Sequence, residues 1–151
     1  YTSDRKRAIQ SARIIFRKTK IELMPELKEI HFGVLEGLTY RQILQRHPQE
    51  YQRWLNDPFK FDIPNAESLR EFKKRIVGAI KKITCLNKNK TVAIVCHGGS
   101  ISIYINHILK VKKFWEHIPK PASINIVEYA SGKAKIKSFN DITHLHVKNN
   151  G

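Results

Sequence analysis

The chain has 151 residues, 41% of them hydrophobic and 27% charged, which is the composition of a single globular domain. Its 28 lysines and arginines against 13 acidic residues give a net charge of +15, which favours anionic partners: nucleic acid, phosphorylated small molecules or acidic surfaces. No run of eighteen apolar residues occurs, and the basic N-terminus lacks the apolar stretch of a signal peptide, so we expect a cytoplasmic protein that does not span a membrane.

The first predicted element is a helix that follows a strand end at residues 1–4, with Ser3 or Asp4 as its N-cap. Arg7 lies in its first turn, where the helix dipole does not favour a cation. That position indicates a functional role, such as holding a phosphate with the planar guanidinium. The buried face of this helix is predicted to comprise the apolar residues at one-face spacing, which are Ala8, Ile9, Ala12, Ile15 and Phe16.

The next predicted elements are a short edge strand at residues 21–24 and a loop at residues 27–37. The loop contains several apolar residues that a solvated loop would not need, so we expect them to anchor it in the core and to hold Glu29 and Glu36 in place. Two short helices follow. Thr39 begins the first with a capping box, and the second carries Trp54.

An irregular stretch at residues 56–65 contains Phe59 and Phe61, which could line a pocket or fill the core. Ser68 and Glu71 form a second capping box. The helix that begins there has apolar residues every three or four positions and is predicted to end before Asn87.

A continuous Val/Ile run at residues 91–96 favours a parallel strand that is buried on both faces. His97, Gly98 and Gly99 follow it directly, and ligands bind beyond the carboxyl ends of such strands. Alternatively, this is a strand-to-helix turn whose histidine only caps a neighbour. Because Cys96 lies in this strand and Cys85 on another element, we expect reduced thiols and no disulfide.

The last predicted elements are a helix at residues 101–109 and a hairpin of strands 123–129 and 133–139. The tail at residues 140–151 is predicted to be loosely ordered.

Four segments in order resemble the motifs of the histidine phosphatase superfamily, which is also called phosphoglycerate mutase-like. They are residues 1–12, 27–37, 64–68 and 95–99. The pattern is most similar to α-ribazole phosphatase and to broad-specificity phosphatases of the family. The resemblance implies an α/β fold with three α/β/α layers and a mostly parallel sheet. Here it implies one domain, residues 1–151, that lacks the first strand and helix of the family.

The resemblance also implies the roles of individual residues in phosphoryl transfer. Glu29 would be the general acid and His97 would donate hydrogen bonds to the phosphoryl group. The phosphate-binding residues implied are Arg7, Ser3 and Gly98. The substrate pocket would include His31, Trp54 and Glu67. No metal and no cofactor are implied.

The nucleophilic histidine of this family lies in an Arg-His-Gly motif, and no such tripeptide occurs in the sequence. Three explanations are open: the chain is a piece of a longer or nicked protein, another copy supplies the missing strand, or the chain is a noncatalytic remnant. The start at Tyr1, inside a family motif, favours the first. The arginine pair and proline cluster of the family's phosphoglycerate mutases are also missing between residues 39 and 67, which favours a phosphatase.

Three alternatives accompany the phosphatase hypothesis. The first is a noncatalytic module that binds phosphate or phosphoproteins. The second is nucleic-acid binding, but the basic residues are scattered and no nucleic-acid-binding motif is present, so we expect none. The third is a metal site at His144 and His146, which lack the further ligands that such sites need. The expected partner is a phosphorylated small molecule, and a homodimer is possible.

Overall fold

The structure is a computed structural model that describes residues 1–130 and 132–146. Within those residues five α-helices and two strands form, joined by short 3-10 turns. The helices are α1 (Lys6–Ile15), α2 (Tyr40–Arg46), α3 (Pro48–Asn56), α4 (Leu69–Leu86) and α5 (Gly98–Leu109). The strands are β1 (Ile124–Ala130) and β2 (Lys133–Asp141). None of the helices in the described part of the chain is long and apolar enough to cross a membrane.

Both predicted capping boxes are present and begin the helices where expected. The Gln42 amide donates to Thr39 Oγ1 at 3.3 Å, and the Thr39 amide donates to Gln42 Oε1 at 2.9 Å. Ser68 and Glu71 make the same reciprocal pair at 3.2 and 3.1 Å. Each box satisfies main-chain amides that the first helical turn leaves without partners.

The predicted cap of α1 is wrong. Arg5 occupies the N-cap position and makes no side-chain cap, while the Ser3 hydroxyl pairs with a distant histidine described below. Ala8 and Ala12 are buried as expected, but Ile15 is 63% exposed. Only part of the predicted apolar face of α1 is therefore covered.

The core forms where α4 packs against α5 and the loops. Phe72 and Ile76 of α4 and Ile103 of α5 are 0% exposed. They belong to one cluster with Trp54 and Phe114. This packing fixes α4 and α5 relative to each other, and both helices contact the loop that carries Glu29.

Three extended segments lie side by side in parallel, with residues 1–3 in the middle. Thr2 bridges to Leu23 on one side and to Val95 on the other. The Thr2 and Ser3 amides donate to Glu22 and Val95 oxygens at 3.0 and 3.3 Å. The pairing is limited to these bridges, and the only sheet within residues 1–130 and 132–146 is two-stranded and antiparallel. The structure therefore leaves the expected large parallel sheet and its three layers without direct support.

Residues 91–96 were expected to form a strand buried on both faces, and this expectation is wrong. Ala93 is exposed and Val95 only half-buried. Among the described residues, the amides of Val92, Ile94 and Cys96 have no hydrogen-bond acceptor. The physical reason is that, within the described residues, this segment has a backbone neighbour, residues 1–3, on one edge only, so no adjacent strand on the other edge shields its side chains from solvent.

The predicted hairpin is present as antiparallel strands β1 and β2, with Ala130 opposite Lys133. The tail was expected to be loosely ordered from residue 140. Instead Asn140 and Asp141 end β2, and a 3-10 turn spans Thr143–His146. Residues 147–151 lie outside the described part of the chain.

Candidate active site

His97 lies at the N-cap of α5, directly after the extended segment 91–96. It is only 7% exposed, and its carbonyl accepts the first bond of the helix from the Ile101 amide at 2.9 Å. Its Nε2 atom lies 2.7 Å from Ser3 Oγ, and Ser3 is fully buried. The contact occupies one nitrogen of the imidazole and leaves Nδ1 for another partner.

Burial lowers the pKa of His97 to about 4, and the positive charges of Arg7 and Arg5 add to this effect. The imidazole is therefore neutral at physiological pH. A neutral imidazole has one N–H donor and one acceptor, so the Ser3 contact decides which role each nitrogen can take.

The carboxyl group of Glu29 contacts the first turn of α5. Its Oε2 accepts from the Gly99 amide at 2.9 Å, and its Oε1 accepts from the amide of Ile30 at 3.1 Å. Burial raises the pKa of Glu29, while these hydrogen bonds and the charge of Arg7 act in the opposite direction. The net rise favours the protonated carboxyl, the form that can donate a proton.

The close approach of the Glu29 carboxyl requires a glycine at position 99. A Cβ atom at this position would lie 2.4 Å from Glu29 Oε1. At Gly98, the first residue of α5, a Cβ would meet only Ile118 Cγ2 at 3.5 Å, which is an ordinary contact.

Arg7 is the second residue of α1, and its side chain is exposed. Its charge lowers the pKa of both His97 and Glu29. An exposed guanidinium whose charge acts on both groups could bind an anion such as phosphate.

Glu67, one of the residues expected in the substrate pocket, is bound to Arg75 instead. Arg75 Nε donates to Glu67 Oε1 at 2.7 Å and Nη2 donates to Oε2 at 2.5 Å. Both side chains are about five-sixths buried, with 17% and 16% of their areas exposed. Sequence reasoning missed Arg75 because nothing local distinguishes it from the solvated Lys73 and Lys74 beside it.

The other two expected pocket residues make contacts of a different kind. Trp54 is 6% exposed and packs edge-to-face against Phe32 and Trp115, so it fills the core, one of the alternatives for the aromatic residues of this region. His31 is exposed, and its Nδ1 accepts from the Gly33 amide at 3.1 Å.

Cys96 precedes His97 but is no substitute nucleophile. Burial raises the pKa of its thiol to about 12, so the reactive thiolate is scarce at neutral pH. Cys85 is exposed, and both cysteines are free.

Comparison with known proteins gives one consistent result. The protein-family model described as histidine phosphatase superfamily (branch 1) matches residues 1–142 of the sequence. A metal-independent phosphoserine phosphatase of Arabidopsis thaliana is 29% identical over 149 residues, covering 96% of this chain and 62% of the relative. Phosphoglycerate mutase-like protein 4 of the same plant is 31% identical over 151 residues, covering 96% and 65%. Adenosylcobalamin/alpha-ribazole phosphatase of Escherichia coli is 28% identical over 110 residues, covering 71% and 54%. The chain thus spans less than two thirds of the length of these relatives.

Comparison with solved structures also finds similar proteins. YhfR of Bacillus stearothermophilus superimposes with a TM-score of 0.90 at 25% identity, over 96% of this chain and 74% of that chain. A histidine-to-alanine mutant of phosphoserine phosphatase from Entamoeba histolytica, in complex with phosphoserine, gives a TM-score of 0.81 at 26% identity over the same shares. The fold of the chain is therefore the one these proteins share.

Proposed function

The chain belongs to the histidine phosphatase superfamily, and from that premise we propose that the whole protein hydrolyses phosphate monoesters of small molecules. The observation that carries the proposal is the grouping of two side chains at the N-terminus of α5. They are a neutral His97 paired with Ser3 and the carboxyl group of Glu29, whose pKa is raised; the positive charge of Arg7 acts on both. Together they offer a hydrogen-bond donor, a proton donor and an anion-binding group.

In the proposed reaction, Arg7 pairs with two phosphoryl oxygens, and His97 donates a hydrogen bond to a third. The nearby Ser3 hydroxyl and Gly98 amide assist phosphate binding. A nucleophilic histidine attacks phosphorus as the bond to the ester oxygen breaks, and Glu29 gives its proton to that oxygen. Water then attacks the phosphohistidine while the Glu29 carboxylate accepts a proton from the water, so that phosphate leaves the histidine and the protonated Glu29 is restored. Each step is a transfer between the ester, the histidine and water, so the reaction requires no metal.

We propose that the nucleophile is a histidine outside these 151 residues. None of the seven histidines of the chain lies in an Arg-His-Gly motif. A strand that carries such a motif would fit between residues 91–96 and β1. In support, within the described residues the amides of Val92, Ile94 and Cys96 lack acceptors and β1 has no strand partner other than β2. Such a strand would complete a larger, mostly parallel sheet with helices on both faces.

The substrate class follows from the relatives rather than from the pocket. Their names include phosphoserine and α-ribazole phosphatases, which point to an alcohol esterified to phosphate. His31, exposed at the loop that carries Glu29, is the better candidate for a substrate contact than the buried Trp54.

The test is hydrolysis of p-nitrophenyl phosphate by the full-length protein in excess EDTA. His97→Ala and Arg7→Ala are each expected to lower kcat/KM by about 100-fold or more, since removing one preorganised donor typically costs ~10²–10³-fold. Arg13→Ala, which removes an exposed arginine from the other end of α1, is the matched control and should retain the rate. Unchanged turnover in the first two variants would refute the site.

A noncatalytic binding module is the second candidate, favoured by the lack of an Arg-His-Gly motif beside a site that still has its anion-binding groups. It predicts that the full-length protein binds vanadate or phosphate in calorimetry without turnover. Phosphate release at a measurable, His97-dependent rate would exclude it.

A further inference from the structure

Arg75 holds the main chain of the loop that carries Glu29. Its Nη1 atom donates to the carbonyl oxygens of Glu26 at 2.6 Å and Lys28 at 2.9 Å, and Nη2 reaches the carbonyl of Glu29 at 3.5 Å. The Nε and Nη2 atoms on the other edge of the guanidinium donate to the two carboxylate oxygens of Glu67. One side chain of α4 thus contacts three of the four main-chain carbonyls that lead up to and include Glu29.

The same loop is held from the other side by α5. Ser100 Oγ lies 3.3 Å from the Leu27 carbonyl and 3.2 Å from the Lys28 carbonyl, and the Gly99 amide donates to the Glu29 carboxyl at 2.9 Å. Leu27 between them is fully buried. The main chain at residues 26–29 is therefore fixed between two helices, and the carboxyl of Glu29 can meet Gly99 only from that position.

We propose that Arg75, with Glu67 as its counter-ion, is a positioning residue that holds the proton donor Glu29 at the end of α5. The inference rests on the proposed function, in which Glu29 protonates the leaving oxygen. General acids act only within hydrogen-bond reach of the atom that they protonate. A displacement of the loop by about 1 Å is enough to cost ~10²-fold in rate.

The planar fork of Arg75 is essential to this role. A guanidinium has five N–H donors in fixed directions, and this arginine uses them on a carboxylate and on carbonyls at once. A lysine would keep the charge but offers three donors from one rotating ammonium group. Glu67 is needed because a largely buried guanidinium without a counter-ion is strongly unfavourable.

The experiment compares two substrates of the full-length protein. An alkyl phosphate such as β-glycerophosphate needs its leaving oxygen protonated, whereas p-nitrophenolate leaves without a proton. Glu29→Gln should therefore lower kcat/KM much more for the alkyl ester, and the ratio of the two losses measures general-acid catalysis. This ratio does not depend on the fraction of folded enzyme, because unfolding lowers both rates equally.

Arg75→Met is expected to lower the alkyl-ester rate at least tenfold more than the aryl-ester rate. Arg75→Lys should show most of the same selective loss, and Glu67→Gln a smaller one in the same direction. Arg70→Met, which removes an exposed arginine of α4, is the matched control with an unchanged ratio. Equal losses on both esters in the two Arg75 variants, or full rescue by lysine, would overturn the inference.

The Glu29→Gln result separates this inference from the proposed function. If Glu29→Gln lowers both rates equally or not at all, the general-acid role of Glu29 and this inference fail, while ester hydrolysis that depends on His97 and Arg7 still supports the proposed function. If Glu29→Gln is selective while Arg75→Met is not, Glu29 is the acid and only the positioning role of Arg75 is refuted.

Discussion

The hydroxyl of Ser3 lies 2.7 Å from Nε2 of His97, although the two residues are 94 positions apart. Parallel main-chain pairing brings them together, because the Ser3 amide donates to the Val95 carbonyl at 3.3 Å and the Val95 amide donates to the Tyr1 carbonyl at 2.9 Å. The resemblance assigned Ser3 to phosphate binding. Its contact in the structure is with the imidazole, so Ser3 can also orient the ring of His97.

Ser3→Ala removes that contact and is expected to lower kcat/KM of the full-length protein about tenfold. A typical hydrogen bond contributes ~0.5–1.5 kcal/mol net, and tenfold in rate corresponds to about 1.4 kcal/mol. Steady-state hydrolysis of p-nitrophenyl phosphate measures the change. Thr84→Ala, which removes an exposed hydroxyl bonded to the Lys81 carbonyl, is the control. A Ser3→Ala enzyme as fast as the wild type would show that the contact is not used.

The low pKa of His97 predicts a loss of stability in acid. Because the folded pKa is about 4 and the ordinary value is 6.5, the unfolded chain binds more protons between these pH values. The stability from neutral, buried His97 is thus fully present above pH 6.5 and is lost as the pH falls towards 4. Urea unfolding should show a decrease of roughly 2 kcal/mol from this residue between pH 7 and pH 4.5.

The raised pKa of Glu29 acts in the opposite direction, since its ionisation as the pH rises destabilises the folded state. A His97→Gln variant therefore isolates the histidine. Its free energy of unfolding should depend less on pH across this range than that of the wild type. The same pH dependence in both proteins would contradict the assignment.

Gly99→Ala is expected to lower kcat/KM for an alkyl phosphate such as β-glycerophosphate about 100-fold or more without unfolding the protein. The new Cβ would lie 2.4 Å from Glu29 Oε1, and the flexible end of that side chain can swing away while the helix stays in place. Rate and thermal melting measured together test both halves of the prediction. Gly78→Ala is the matched control in α4, where a Cβ meets nothing within 4 Å. It should stabilise the protein by ~0.5–1 kcal/mol at full activity. Full activity of Gly99→Ala would refute the close contact.

The uncovered edge of residues 91–96 predicts a pattern of hydrogen exchange. In the 151-residue chain the amides of Val92, Ile94 and Cys96 should exchange fast, because no acceptor within the described residues protects them. Val95, whose amide donates to the Tyr1 carbonyl, is the internal reference. In the full-length protein the three amides should become protected if a further strand pairs with this edge. Equally fast exchange in both forms would argue against that strand.

Elements specified by neighbouring residues could be read from the sequence. The capping boxes at Thr39 and Ser68 were predicted correctly because a cap needs residues only three positions apart. The hairpin was predicted correctly because its strands are close in sequence. By contrast, the burial of residues 91–96 depends on strands distant in sequence, and there the prediction failed.

The sequence by itself determined the family and the identity of the residues with chemical potential, because the motifs around Arg7, Glu29 and His97 are local. Only the tertiary structure decided their partners. In the structure Ser3 contacts His97, and the Glu29 carboxyl accepts a hydrogen bond from the Gly99 amide. Glu67 forms an ion pair with Arg75, and Trp54 packs in the core. The reason is physical. The periodicity of a helix or strand specifies which face is apolar, but the contacts of Ser3 with His97 and of Glu29 with Gly99, which are 94 and 70 positions apart, depend on how whole elements pack. Glu67 and Arg75 are only eight positions apart, yet their burial and the contacts of Arg75 with the Glu29 loop depend on the same packing.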